Sequence, residues 1–336
     1  DRAMEQAEHQ GMLRPAERGY RFSHELIARC VYNKISESRR RTMHRRAAQL
    51  LEVESAADLQ LASELAHHAT RSADPLLASK GVIAAARLSL RFYANDDALK
   101  LCHQGLQFCA RLSDLERICC RLELAEIRIS AAPLDDWQAA AGELIELAEN
   151  ALDHGALRYA RQGYQLASYL RWVHGQCGEA LSDSLQGERV TRSGTDREQV
   201  VGMAEAAKCL ALLERDLPRA DAMILEAQAL AARQGYHCAA IPTCLGILRY
   251  YEGQWDRACE QLMEARALCK SQGDRVSEFL ANEYLALTET ERGDFHQAAR
   301  HCRAMRAIGE RLREGSEAPL ADAMSGLCHY VLEGAH

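Results

Sequence analysis

Apolar residues recur through most of the chain at the three- and four-residue spacing of an α-helix. Ala258, Leu262, Ala265 and Cys269 fall at i, i+4, i+7 and i+11, and Ala220, Ile224, Ala227 and Ala231 repeat that spacing. Each stripe predicts an amphipathic helix with one buried face. A short pattern also returns along the chain: a helix end, a tight turn, one or two polar residues, then an Ala that opens another helix. Its anchors are Ala98, Ala139, Ala180, Ala220, Ala258 and Ala298, spaced 41, 41, 40, 38 and 40 residues apart.

Glycine marks the same period. In three of the six units, Gly175, Gly253 and Gly293 stand five residues before the anchor, where a first helix must end in a left-handed residue. A second Gly follows the second helix at Gly155, Gly235 and Gly273. Neither helix of such a pair hides its apolar face alone, so the pairs must stack into one continuous core with a concave groove. The fold class this predicts is all-α: a helical-repeat solenoid over residues 54–336, with an irregular first pair around Leu59 to Leu90.

Residues 1–53 do not follow the repeat. Gly19-Tyr-Arg-Phe22 predicts a short strand, Ser23 an N-cap for a helix running through Tyr32, and Ser36 the start of a second helix whose buried face is Met43, Ala47, Leu50 and Leu51. Charge separates this segment from the rest. From Arg14 to Arg46 there are ten basic residues against three acidic ones, a net of +7 in a chain of net −7, which leaves −14 elsewhere.

Composition supports helices, with 48% hydrophobic residues, 6% aromatic and only 6 Pro in 336. The longest apolar run, Ala239 to Leu248, is too short for a membrane helix and is broken by Pro242 and Thr243. The N-terminus has neither an initiator Met nor the charged and apolar regions of a signal peptide, which predicts a chain that begins inside a longer protein. The 13 cysteines are odd in number and scattered without a C-x-x-C pair, as packing residues of a reducing, cytoplasmic compartment are. Adjacent Cys119-Cys120 and exposed Cys177 are the redox candidates.

The units resemble tetratricopeptide repeats of the longer, roughly 40-residue kind; Gly253-Gln-Trp-Asp-Arg-Ala258 with Leu262 and Ala265 follows that pattern, Ala139 and Ala180 more loosely. The N-terminal string Gly11-Met-Leu13, Tyr20-Arg-Phe-Ser-His-Glu-Leu26, Val31-Tyr32 and Arg40-Arg-Thr-Met-His44 resembles the winged-helix end of the STAND ATPases, signal-transduction ATPases that include large LuxR-type activators. In that family a nucleotide-binding domain and winged helix precede a helical-repeat sensor. The resemblance implies that residues 1–53 end a winged-helix regulatory domain and that 54–336 form a sensor arm for an inducer metabolite or partner protein. It implies ADP or ATP on an upstream nucleotide-binding domain, and transcription as output through a DNA-binding domain outside this chain. His24, in His24-Glu25-Leu26, matches the family element thought to reach the phosphate of bound ADP.

Other constellations carry less. No G-x-x-x-x-G-K-[ST] loop occurs, so the sequence predicts no nucleotide hydrolysis and no cofactor in this chain itself. His67-His68, His237-Cys238 and the group His296, His301-Cys302 lack zinc-site spacing, adjacent His side chains being expected to point apart. Arg39-Arg-Arg41 with Arg45 and Arg46 reads as a solvated face rather than a DNA contact, and no nucleophile elbow appears, so an enzyme is not expected. Tyr164, Tyr169, Trp172, Tyr250 and Tyr251 lie on first helices and are the candidate partner groove, with core packing as the other reading; Trp255, in the turn that follows, belongs with them. The competing functions are an autonomous adaptor for a protein partner and, more remotely, a cysteine redox sensor.

Overall fold

The computed structural model describes residues 2–16, 19–55, 58–311 and 317–333; Glu17 and Arg18 of the basic run lie outside the described residues. The chain divides into two compact units, Asp1–Leu88 and Ser89–His336. Among the described residues no helix is long and apolar enough to cross a membrane.

The first unit opens with helix α1 (Arg2–His9) and a two-stranded antiparallel hairpin, β1 (Leu13–Ala16) and β2 (Gly19–Phe22), in which Leu13 faces Phe22. Helices α2 (Glu25–Lys34), α3 (Glu37–Ser55) and α4 (Ala62–Ala69) follow, and α5 (Pro75–Arg91) runs on into the second unit. The cap of α2 is His24 rather than Ser23. Its Nδ1 accepts the Leu26 N–H at 3.2 Å, while the Ser23 hydroxyl donates back to the Gly11 and Met12 carbonyls in the turn between α1 and β1.

The buried face of α3 is also rotated from the expected one. Met43 and Leu50 are 52% and 69% exposed, whereas His44 and Ala48 are buried and Leu51 packs beside them. The reason is polar. The Tyr32 hydroxyl lies 2.8 Å from His44 Nε2, and His44 Nδ1 lies 2.9 Å from His68 Nδ1, so the imidazole is drawn inward by two hydrogen bonds. One tautomer set satisfies both: Tyr32 donates to His44 Nε2, and His44 donates from Nδ1 to His68 Nδ1. Gly81 lets α5 approach α4 closely, since a Cβ there would sit 2.8 Å from the Ala69 Cβ.

The second unit is a stack of antiparallel helix pairs. After α5, the chain continues through α6 (Asn95–Cys109), α7 (Asp114–Ala131), α8 (Trp137–Asp153), α9 (Leu157–Val173), α10 (Cys177–Thr191), α11 (Asp196–Leu212), α12 (Leu217–Gln234), α13 (Ala240–Tyr251), α14 (Trp255–Gln272), α15 (Arg275–Glu291), α16 (Phe295–Gly309) and α17 (Glu317–Glu333). From α6 on, each helix packs on the next, and from α7 on the odd-numbered helices also touch across the even ones. This is the predicted solenoid.

The anchors sit where the close crossings are. Ala98, Ala180, Ala220, Ala258 and Ala298 are fully buried on α6, α10, α12, α14 and α16. Ala139 is the exception, for it is exposed. The Asp136 carboxylate caps α8 by accepting the Ala139 N–H, as Asp294 does for Gln297 on α16, so the residue in register is Ala140, with Ala141 buried behind it. Gly175, Gly253 and Gly293 have φ of +77°, +71° and +77°, the left-handed state their position requires.

Candidate ligand-binding face of the repeat array

Each first helix of a pair is covered by second helices on two sides and keeps one half-buried stripe. On α7 the stripe is Cys119, Glu123 and Glu126; on α11 it is Val201, Glu205, Lys208 and Leu212; on α15 it includes Val276, Glu283, Leu287 and Thr290. These positions follow i, i+4, i+7 spacing, so each lines up along one helix face. On α9 the corresponding face carries Arg158, Gln162, Gln165 and Tyr169, with Arg161 beside them.

Hydrogen bonds tie these stripes together from one pair to the next. The Tyr159 hydroxyl donates to Glu123 at 2.9 Å and the Gln162 amide to Glu126 at 2.9 Å, both from α9 to α7. Lys208 pairs with Glu205 at 2.6 Å on α11, with side chains 17% and 20% exposed. Charges also interact over longer range: Arg161 with Glu205 and Glu126, and Lys208 with Asp274, the N-cap of α15, two repeats on. The result is a face of alternating charge, largely screened from bulk water.

The enclosure shows in the titrating groups. Burial opposes the charge on Lys208, yet Glu205 and Asp274 hold it above its ordinary value. Burial pulls the Arg161 guanidinium down, against the pull of Glu205 and Glu126, and its hydrogen bond is to the Gln165 side chain. Glu283 is raised to about 7 by burial alone. A carboxyl that is half-protonated near neutrality offers a donor and an acceptor at once.

The aromatic residues predicted for this groove divide. Tyr164 is 5% exposed and belongs to the core between α8, α9 and α10. Tyr169 and Trp172 stand half-buried at the end of α9, their rings 6.2 Å apart. Tyr250 and Tyr251 form an edge-to-face cluster with Tyr284, and the Tyr251 hydroxyl meets that of Tyr284 at 3.2 Å and Glu214 at 3.3 Å. Trp255, 38% exposed, starts α14. In the first unit, His24 spends Nδ1 on its own helix cap.

The structure adds residues that sequence reasoning passed over: Arg161, Glu205, Lys208, Asp274 and Glu283. The available signal was a Glu-x-x-Lys pair inside the otherwise apolar Val200 to Leu212 run.

The histidine pairs differ from expectation. His67 and His68 do not diverge, for their rings lie 5.2 Å apart and 6.0 and 5.0 Å from His44. His68 Nδ1 bonds His44 and His67 Nδ1 bonds Arg71, and among the described residues no group of three or more ligand side chains is arranged for a metal ion. The described cysteines are free thiols; Cys102, Cys244 and Cys269 are buried in the helix packing, and Cys177 is exposed as expected, as is Cys30.

No family model matches this chain, and no curated protein does. Among solved structures it is similar to a Signal Transduction ATPase with Numerous Domains protein with a tetratricopeptide repeat sensor from Pyrococcus horikoshii. That likeness has 14% identity and a TM-score of 0.49, and covers 99% of this chain and 55% of that one. It is also similar to BtubC (BKLC) from P. vanneervenii, at 14% identity and a TM-score of 0.31, over 90% of this chain and 94% of that one. The chain thus spans about half the length of the first. At these values neither likeness bears on function, and the fold rests on the helix pairing described above.

Proposed function

We propose that this chain is the sensor arm of a STAND-type regulator, and that its repeat array receives an inducer on the face lined by α7, α9, α11 and α15. The observation that supports this reading is the face itself. Arg161, Glu205, Lys208 and Glu283 are enclosed yet keep contact with water, an arrangement suited to a ligand and needless for a core. The chain is not itself an enzyme in this reading, and it works in the cytoplasm.

The remainder follows from the STAND resemblance of the sequence. ADP or ATP is held by a nucleotide-binding domain, His24 senses its phosphate, and transcription is driven through a separate DNA-binding domain. Inducer binding acts as a population shift, which needs a preference of several kcal/mol for the open over the closed state. The test is a thermal-shift screen of this chain against a metabolite collection and ADP. A metabolite that raises the melting temperature of the wild type, but not of Lys208→Met or Glu205→Gln, supports the reading. A screen without any such metabolite refutes it in favour of a protein-binding adaptor, to be pursued by pull-down.

A further inference from the structure

The turn between α5 and α6 breaks the rule of the repeats. Tyr93 stands five residues before the anchor Ala98, the place taken by Gly175, Gly253 and Gly293 in other units. It adopts the same left-handed state, φ +56°, although it carries a large side chain. A non-glycine residue held there is strained, and strain persists where the surroundings use it.

The surroundings are far away in sequence. Two guanidinium groups lie over the Tyr93 ring, Arg275 at 5.3 Å and Arg311 at 4.7 Å from its centroid. On one side Arg91 donates from Nη2 to the Ser271 carbonyl at 2.9 Å, across 180 residues, and lies against Gly273, whose added Cβ would be 3.1 Å from Arg91 Nε. On the other side the Asn95 amide, 6% exposed, donates to the Arg311 carbonyl at 3.4 Å, across 216 residues. Three neighbouring residues at the start of the array therefore grip the α14–α15 turn and the end of α16.

We infer that Arg91, Tyr93 and Asn95 form a clasp that closes the repeat array into a ring, and that the clasp must open before anything larger than a small solute reaches the inner face. The partner the closed state fits is a small polar molecule, not a folded protein surface. This rests on the inner face being the binding face, but its geometry is testable without a ligand. The same enclosure brings Lys208 within range of Asp274 two repeats on, and Arg161 within range of Cys238.

The decisive variant is Tyr93→Gly, because Gly is the residue other repeats use in this turn and the substitution removes the ring that Arg275 and Arg311 cover without straining the backbone. Hydrogen exchange is read at residues 91–96 and 271–276, with Arg311→Gln as a second variant and Phe92→Ala, 64% exposed, as control. In Tyr93→Gly, exchange in 271–276 is expected to rise about tenfold or more while the amides of α8 to α12 keep their wild-type rates. Arg311→Gln should do the same to 91–96. The gate is read at Cys238, half-buried beside Glu205 and Lys208, against exposed Cys177. Iodoacetamide should label Cys238 in wild type and variant alike, whereas a 5-kDa maleimide polymer should label it about tenfold faster in Tyr93→Gly than in the wild type. Exchange that changes only at residue 93 and its neighbours would overturn the clasp. Equal polymer labelling of Cys238 in wild type and variant would overturn the gate. Neither result touches the ligand reading, which fails or stands on the metabolite screen.

Discussion

Gly163 measures how closely α8 and α9 cross. It lies buried in the middle of α9, and a Cβ built there would meet the Ala148 Cβ at 2.8 Å, the Leu144 carbonyl oxygen at 2.8 Å and Leu122 Cδ2 at 3.2 Å. Gly163→Ala gains about 0.5–1 kcal/mol from helix propensity and the lost freedom of the unfolded chain. Against this stands an overpacking cost of about 1–3 kcal/mol, because one of the atoms met is backbone and cannot rotate away. The cost wins, and the expected net is a destabilisation of roughly 1–2 kcal/mol, or a few degrees in melting temperature. Gly142→Ala is the matched control, at an exposed position inside α8 with nothing within 4 Å of its added Cβ. It keeps the propensity gain and should stabilise by up to about 1 kcal/mol. Both are read by denaturation followed at the helical circular-dichroism band. If Gly163→Ala stabilises as Gly142→Ala does, α8 and α9 do not cross at contact distance and the stacking register is wrong.

Other outcomes follow from burial and charge. Tyr164→Ala, at a core position between α8 and α10, should cost about 3–5 kcal/mol by the same melts; a loss under about 1 kcal/mol would place its ring on the groove. His301 is pushed down to about 4 by burial and the nearby Arg266, so the folded state resists its protonation. Its contribution is complete above the ordinary value of 6.5 and is lost as pH falls from there to about 4, and His301→Gln should flatten the stability profile over that window. Glu283 has the opposite sign: raised to about 7, its contribution is complete below about 4.5 and is lost as pH rises through 7. Glu283→Gln should therefore be more stable than the wild type at pH 8 and little changed at pH 4, and an unchanged stability at pH 8 would mean the carboxyl is not enclosed.

The repeat was legible because its signals are local. An Ala at the close crossing, a Gly where the chain must turn left-handed and a helical stripe after it lie within about 20 residues of one another. The errors were local too, and each has a polar cause. Ala139 was one residue early because Asp136 takes the cap of α8 after a turn without Gly. The buried face of α3 departs from its apolar stripe because hydrophobic periodicity has no place for a buried histidine, and His44 is inside through Tyr32 and His68.

The half-buried charged face is legible only in part, for a reason of distance rather than of motif. Aromatic residues stand out in the sequence, but how deeply a ring sits depends on how neighbouring pairs stack, and of Tyr164 and Tyr169, five residues apart on one helix, the first is buried and the second half-buried against the same cluster. The charged stripe reads in sequence as ordinary solvated helix, since Glu205 and Lys208 become enclosed only when the neighbouring pairs pack around α11. Tyr93 carries the point furthest. In isolation it is a departure from the repeat pattern at a position that favours glycine. Its partners Arg275 and Arg311 lie some 180 to 220 residues on, so no window of sequence joins them, and only closure of the array turns an unfavourable backbone into a contact. A residue that breaks a local rule is a place to look for a long-range partner, because the folded chain retains local strain where contacts elsewhere offset it.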